Sequence, residues 1–175
     1  RRLHHAAISG DRMSLSLTLP QALRLTECVF AWSLAIQTIE YLRMGHATAP
    51  NGLWAWALQR RDIPQAWVRS CLDVLFHPLC HQLHLWLRLL AATTLFFVGG
   101  SWALMVFLFL GNLLILIRWR GAFNGGSDFL TLVVLTGLLV TYVVGTWIDA
   151  EMGVQAGLWY ICIQAVTSYF MSGAV

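Results

Sequence analysis

Apolar residues in this chain gather into long, nearly unbroken runs, with short polar clusters as punctuation. Five runs stand out, at about 21–42, 79–98, 101–117, 129–148 and 154–170. A helix crossing a ~30 Å hydrocarbon layer needs ~20 such residues, and each run comes close. The fourth carries no charge at all. Only Gly99 and Gly100 part the second run from the third, which predicts a tight antiparallel hairpin. Pro20 stands where the first helix can start, because a first-turn residue needs no backbone N–H partner. The fifth run opens with Gly153-x-x-x-Gly157, a small-residue spacing that lets two helices approach closely.

The stretch 43–78 reads differently. Trp54, Trp56 and Trp67 stand among Arg60, Arg61, Arg69, Asp62 and Asp73. Between Pro64 and His77, the residues Trp67, Cys71 and Val74 share one helical face, and Arg69 and Asp73 another. This pattern predicts amphipathic helices lying in a membrane interface, with aromatic rings at headgroup level. The expected fold is therefore all-α: one transmembrane domain over 1–175, a polytopic bundle of about five transmembrane helices, with interfacial helices between the first two. Five spans alternate in direction, so 43–78, the 118–127 loop and the end of the fifth span share one side.

Composition sharpens this picture. Charged residues make up 11% of the chain against about a quarter in soluble domains, and 58% is hydrophobic. No separate soluble domain fits. The net charge of +3 is too small to imply nucleic acid. Every basic residue besides His is Arg, so Lys chemistry is excluded within these 175 residues. Cys28, Cys71, Cys80 and Cys162 form no C-x-x-C pair and read as buried thiols. The first fifteen residues lack the apolar stretch of a cleavable leader.

Three constellations could carry chemistry. Arg24 and Glu27 are one turn apart inside the first span and can form a buried ion pair; an interface-level structural pair is the plainer reading. His77-x-x-Cys80-His81-x-x-His84 sets nitrogen and sulfur ligands on one helical arc, the chemistry of zinc, copper or haem iron. Pro78 disfavours helix at His77, which leaves Cys80, His81 and His84. Between the third and fourth spans, Arg118, Arg120, Asn124, Gly125, Gly126 and Ser127 offer two guanidinium groups and a glycine turn before a helix start. Ser127 can cap that helix with Asp128 in its first turn, and the loop suits a lipid phosphate or another anionic ligand. A capped turn with two snorkelling arginines is its plainer reading.

Four segments, in order, resemble the HTTM membrane family, which includes the vitamin K-dependent γ-carboxylase membrane domain and sporulation-delaying-type bacterial proteins. They are Ala22-Leu23-Arg24-Leu25, Asn51-Gly52-Leu53-Trp54-Ala55-Trp56, the Arg120-Gly121-x-x-Asn124-Gly125-Gly126-Ser127-Asp128 loop, and Gln164-Ala165-Val166-Thr167-Ser168-Tyr169-Phe170-Met171-Ser172-Gly173. The resemblance implies an HTTM-like topology in a bacterial inner membrane, with the N-terminus cytoplasmic. Counting arginines, which are richer on the 43–78 side, implies the reverse orientation. In the carboxylase branch a Lys soon after the Tyr-Phe-x-x-Gly end is the active base. This chain has no Lys, so that activity transfers to no residue here.

The expected function is an integral membrane accessory, assembly or anchoring subunit, packing against membrane lipids, other membrane protein subunits or lipid-soluble ligands. The alternatives are an HTTM-type membrane enzyme acting on a peptide or quinone-like substrate, and a metal- or haem-binding redox subunit using the His77–His84 segment. No Ser/His/Asp set, H-E-x-x-H, P-loop or dinucleotide fingerprint is present, and no cofactor is specified.

Overall fold

The computed structural model describes residues 17–49, 51–119 and 125–173. Arg120 and Asn124 of the anion-loop expectation, and Arg1, Arg2 and Arg12, lie outside the described residues. Among those described, all regular structure is helical: α1 (Leu19–Arg43), α2 (Gly45–Thr48), α3 (Trp56–Gln59) running into a 3-10 turn (Arg60–Asp62), α4 (Ala66–Leu75), α5 (Pro78–Phe97), α6 (Trp102–Trp119), α7 (Gly125–Trp147) and α8 (Ala150–Gly173). The bounds of the five long helices differ from the expected runs by no more than four residues.

Helix starts follow from local chemistry. The Gln21 side chain accepts the Thr18 N–H at 3.0 Å, and Pro20 needs no donor in that first turn. Pro78 opens α5 and holds His77 extended as its N-cap. Gly99 turns the α5–α6 hairpin at φ 107°, where a side chain is strained, and a Cβ on Gly100 would run into the Tyr142 ring. The fourth long helix departs from expectation. It starts at Gly125, so Gly125 and Gly126 are helical rather than a glycine turn, and Ser127 sits inside the first turn rather than capping it. Asp128 points inward and accepts from Gln37 and Tyr41 of α1.

Contacts give the helices alternating directions. The ends of α1 and α6 meet the start of α5 in a cluster of Tyr41, Leu85, Ile115 and Trp119. At the opposite end Arg24 binds the carbonyls of Leu95 and Phe96, and Glu27 binds the Gly100 N–H and the Tyr142 hydroxyl. Asp128 meets Gln37 and Tyr41 near the end of α1, so α7 runs back along it. The apolar core between these ends joins Phe30 and Leu34 of α1, Ala92 and Leu95 of α5, Met105 and Leu108 of α6, and Leu135 and Leu138 of α7.

The α7–α8 hairpin uses small residues. Gly153 lies against the backbone of Thr141 and Gly145, and Gly157 against Gly137 and Thr141. The Gly153-x-x-x-Gly157 spacing thus meets a matching Gly137-x-x-x-Thr141-x-x-x-Gly145 stripe, and the two backbones touch.

Two helices, Trp102–Trp119 and Asp128–Trp147, are long and apolar enough to cross a membrane. Only 39% and 28% of these stretches are buried, unlike the core helix of a soluble protein. The remaining three long helices carry more polar residues: Arg24, Glu27, Glu40 and Arg43 in α1, Arg88 with two histidines in α5, and Glu151 with two glutamines in α8.

The 53–76 stretch is helical in short pieces. In α4, Trp67, Cys71 and Val74 face outward as one exposed strip, while Leu72 turns in. Trp54 and Trp56 are half-buried and pack within the chain. Trp54 packs on the Tyr41–Trp119 cluster, and the Trp56 ring stands edge-on to Phe76 at 4.8 Å. The Trp56 N–H donates to Asp73 at 2.7 Å, and Arg60 holds the same carboxylate through bonds of 2.7 and 2.8 Å. The Arg60 and Trp56 hydrogen bonds hold the Asp73 carboxyl below its ordinary range, and the bond to Asp73 raises the Arg60 guanidinium.

Two tests follow from this packing. Gly157→Val forces α8 off α7 and should lower thermal stability in detergent by about 1–3 kcal/mol, the cost of overpacking; an unchanged melting temperature refutes the close approach. Because Asp73 titrates low, its clasp is complete above the ordinary carboxylate value of about 3.9 and is lost only as pH falls through the depressed value. A carboxylate NMR titration should place the Asp73 midpoint below that value, and Arg60→Gln should move it back up.

Candidate functional site

The inner face of α5 repeats every three or four residues: His81, Leu85, Arg88, Ala92 and Leu95 are all buried. Arg88 therefore occupies a core position, and its exposure is 0%. The same spacing on α6 buries Met105, Leu108, Asn112 and Ile115, which sets Asn112 opposite Arg88. On α1, Gln37 and Tyr41 are one turn apart and lean the same way. Asp128 comes from the first turn of α7, where a carboxylate suits the helix dipole.

These five side chains, from four helices, join inside the bundle. Arg88 Nη2 donates to Gln37 Oε1 at 2.7 Å and to Asn112 Oδ1 at 3.1 Å. Gln37 Nε2 donates to Asp128 Oδ1 at 2.7 Å, and the Tyr41 hydroxyl donates to the same oxygen at 2.9 Å. The guanidinium lies 5.8 Å from the Tyr41 ring centroid. Cation and carboxylate do not touch. The Gln37 amide stands between them, accepting from one and donating to the other.

The network is incomplete. Arg88 Nε and Nη1, Asn112 Nδ2 and Asp128 Oδ2 are buried without a hydrogen-bond partner, as is His84 Nε2 one turn before Arg88. Buried polar atoms in folded proteins almost always have a partner, and leaving one bare costs about 1–3 kcal/mol, more beside a charge. The arrangement can therefore bind a polar group that both accepts from Arg88 and Asn112 and donates to Asp128.

A lateral groove reaches this network. It is a cavity of about 590 Å³ between α1 and the first half of α7, walled by Leu25, Val29, Ile36, Leu130 and Val134. Thr26, Ser33, Gln37 and Glu40 line it from α1, and Gln37 also holds Arg88. The volume lies within the range that holds one small ligand.

The residues singled out from sequence fall elsewhere. Arg24 and Glu27 do pair, at 2.9 Å, with Glu27 2% exposed. Arg24 also caps the last carbonyls of α5, so the pair fastens α1 to the hairpin and to α7. Arg118 does not snorkel. It is 2% exposed, donates to the Thr48 carbonyl at 2.9 Å and lies 5.5 Å from the Phe76 ring centroid. Its role is to hold the 45–59 segment against the bundle, beside a smaller cavity of about 260 Å³ bounded by Tyr41, Phe76, His81 and Gln82. Cys80 is exposed while His81 is buried against Phe76, and His84 packs between Phe107 and Gly111. No three His, Cys, Asp or Glu side chains converge as metal ligands among the described residues.

Sequence reading passed over Arg88, Gln37, Asn112 and Tyr41. The signal available was the three-four register that puts Arg88 in step with Leu85, Ala92 and Leu95.

No family model, curated protein or solved structure matches this chain.

Removing the guanidinium strands Gln37 and Asp128 in the interior. Arg88→Met should destabilise by about 3–5 kcal/mol, whereas Arg88→Met with Asp128→Asn should cost less than the sum of the single changes. Chemical denaturation in lipid or detergent measures the cycle; strict additivity would show that the two residues are not coupled.

Proposed function

We propose that this chain is a five-span integral membrane protein acting as a binding module within the bilayer, an accessory subunit that holds one lipid-soluble molecule in the α1–α7 groove. The lateral groove carries the reading: a largely apolar groove on the outer side of the bundle, sized for a single ligand, whose lining includes Gln37, the residue that also holds Arg88.

The five-span arrangement rests on where the polar residues point. The five long helices run 25, 20, 18, 23 and 24 residues, or about 27–38 Å at 1.5 Å per residue, enough for a hydrocarbon layer. The charges that lower the hydropathy of α1 and α5 include Glu27 and Arg88, and both are buried. The outer surface instead presents Trp32, Trp86, Leu90, Phe97, Trp147 and Phe170, at least half exposed. Apolar area on that scale needs lipid or a partner chain against it. The HTTM resemblance agrees with this topology and adds a bacterial inner membrane as its setting. With no Lys in the chain and no paired acid and base in the groove, a holding role fits better than catalysis.

Photolabelling tests it. Protein in lipid nanodiscs, irradiated with a hydrocarbon probe carrying a tail diazirine, should be labelled most strongly in 25–40 and 130–134. Val134→Trp fills the groove and should reduce that labelling about ten-fold, the difference of ~1.4 kcal/mol. Labelling spread evenly over all outward-facing helices would overturn the groove.

A further inference from the structure

Gln37 lines the groove between Ser33 and Glu40 of α1, and the chemistry behind Gln37 says what kind of head its occupant carries. The Gln37 amide is a neutral group that accepts from Arg88 and donates to Asp128. Around it, the atoms without partners repeat that demand: N–H donors on Arg88 Nε and Nη1 and on Asn112 Nδ2, and an acceptor at Asp128 Oδ2. Arg88 is fully buried, and Asn112 and Asp128 are each 2% exposed, so bulk water does not satisfy them.

Resting on the groove reading above, we infer that the site takes a neutral single-chain lipid whose head both donates and accepts hydrogen bonds, the chemistry of a fatty primary amide or a monoacylglycerol. The tail lies along Val29, Ile36 and Val134 in the groove. The head turns in past Gln37, its carbonyl or hydroxyl oxygen accepting from Arg88 and Asn112, and its N–H or O–H donating to Asp128 Oδ2.

Charge decides against an anionic head. Arg88 and Asp128 already balance across Gln37, and Glu40 adds a further carboxylate at the groove. A carboxylate or phosphate would put another negative charge beside Asp128 against one buried arginine, where desolvation is not repaid. A head that only accepts leaves Asp128 Oδ2 bare. A hydrocarbon leaves every buried atom bare.

Competition against the diazirine probe, on the same nanodisc-embedded protein, separates these classes. Palmitamide and 1-palmitoylglycerol should displace it at concentrations about ten-fold below those of methyl palmitate, ionised palmitate or hexadecane, the scale of one or two buried hydrogen bonds. Gln37→Ala vacates the place of the native amide, so palmitamide should raise its melting temperature more than it raises that of the wild type. Arg88→Met, or Asn112→Leu if that variant does not fold, should erase the preference for the amide. Equal competition by all five compounds would overturn the head assignment and leave the groove standing. Palmitate competing best would overturn the neutral head. Competition by none of them would remove the groove reading together with this one.

Discussion

The interaction on which the rest of the structure depends is the burial of Arg88. A guanidinium taken fully out of water costs several kcal/mol unless the interior supplies partners. Here those partners come from every neighbouring long helix: Gln37 from α1, Asn112 from α6 and, through Gln37, Asp128 from α7. In the bilayer setting proposed above, apolar contacts between helices have no hydrophobic preference for one another. A polar junction does, because each member loses its partner when a helix rotates or slides. The Arg88 network thus sets the rotation of α5 and the register of α1 against α7, and the Leu, Ala and Met core packs around that setting.

Polar fastenings recur along the bundle. At one end Arg24 and Glu27 clasp the hairpin turn and Tyr142; at the other, Arg118 clasps the 45–59 segment. Backbone carbonyls and N–H groups at helix ends take up these charges, which is where a helix has groups to spare. The middle junction is instead joined by side chains alone, with Asp128 contributed by the first turn of α7. It keeps more atoms without partners than the Arg118 clasp, where Nε of the arginine is bare, and it lies behind the larger of the two cavities described.

The helices and the Arg24–Glu27 pair were legible in sequence because both rest on local spacing: apolar runs of spanning length and an i,i+3 contact. The Gly153–Gly157 stripe was legible as a pattern, although its partner stripe on α7 was not. The site was not legible because its five members come from four helices far apart in the chain. Each reads alone as an isolated polar residue in an apolar run. Asp128 does stand in the first turn of its helix as read, but its side-chain partners were not legible. As a first-turn acid it reads as a dipole partner, and only the placement of α1 reveals Gln37 and Tyr41 waiting for it. For Arg118 the interfacial rule takes the side chain outward, whereas it is buried and donates to the Thr48 carbonyl of the 45–59 segment.

The amide between Arg88 and Asp128 carries the functional argument further. A direct ion pair would be self-sufficient: bidentate, short and indifferent to a third group. Separating the charges by a neutral amide leaves each half served, with open valences on both sides and no net charge to neutralise. Such a junction is stable enough to order the bundle yet gains from any neutral group of complementary polarity. Gln37 is also the member that faces the groove. Under the proposed function, the residue that completes the structural junction is therefore the one a ligand meets first, and through it occupancy of the groove would be coupled to the contact between α1, α5 and α7.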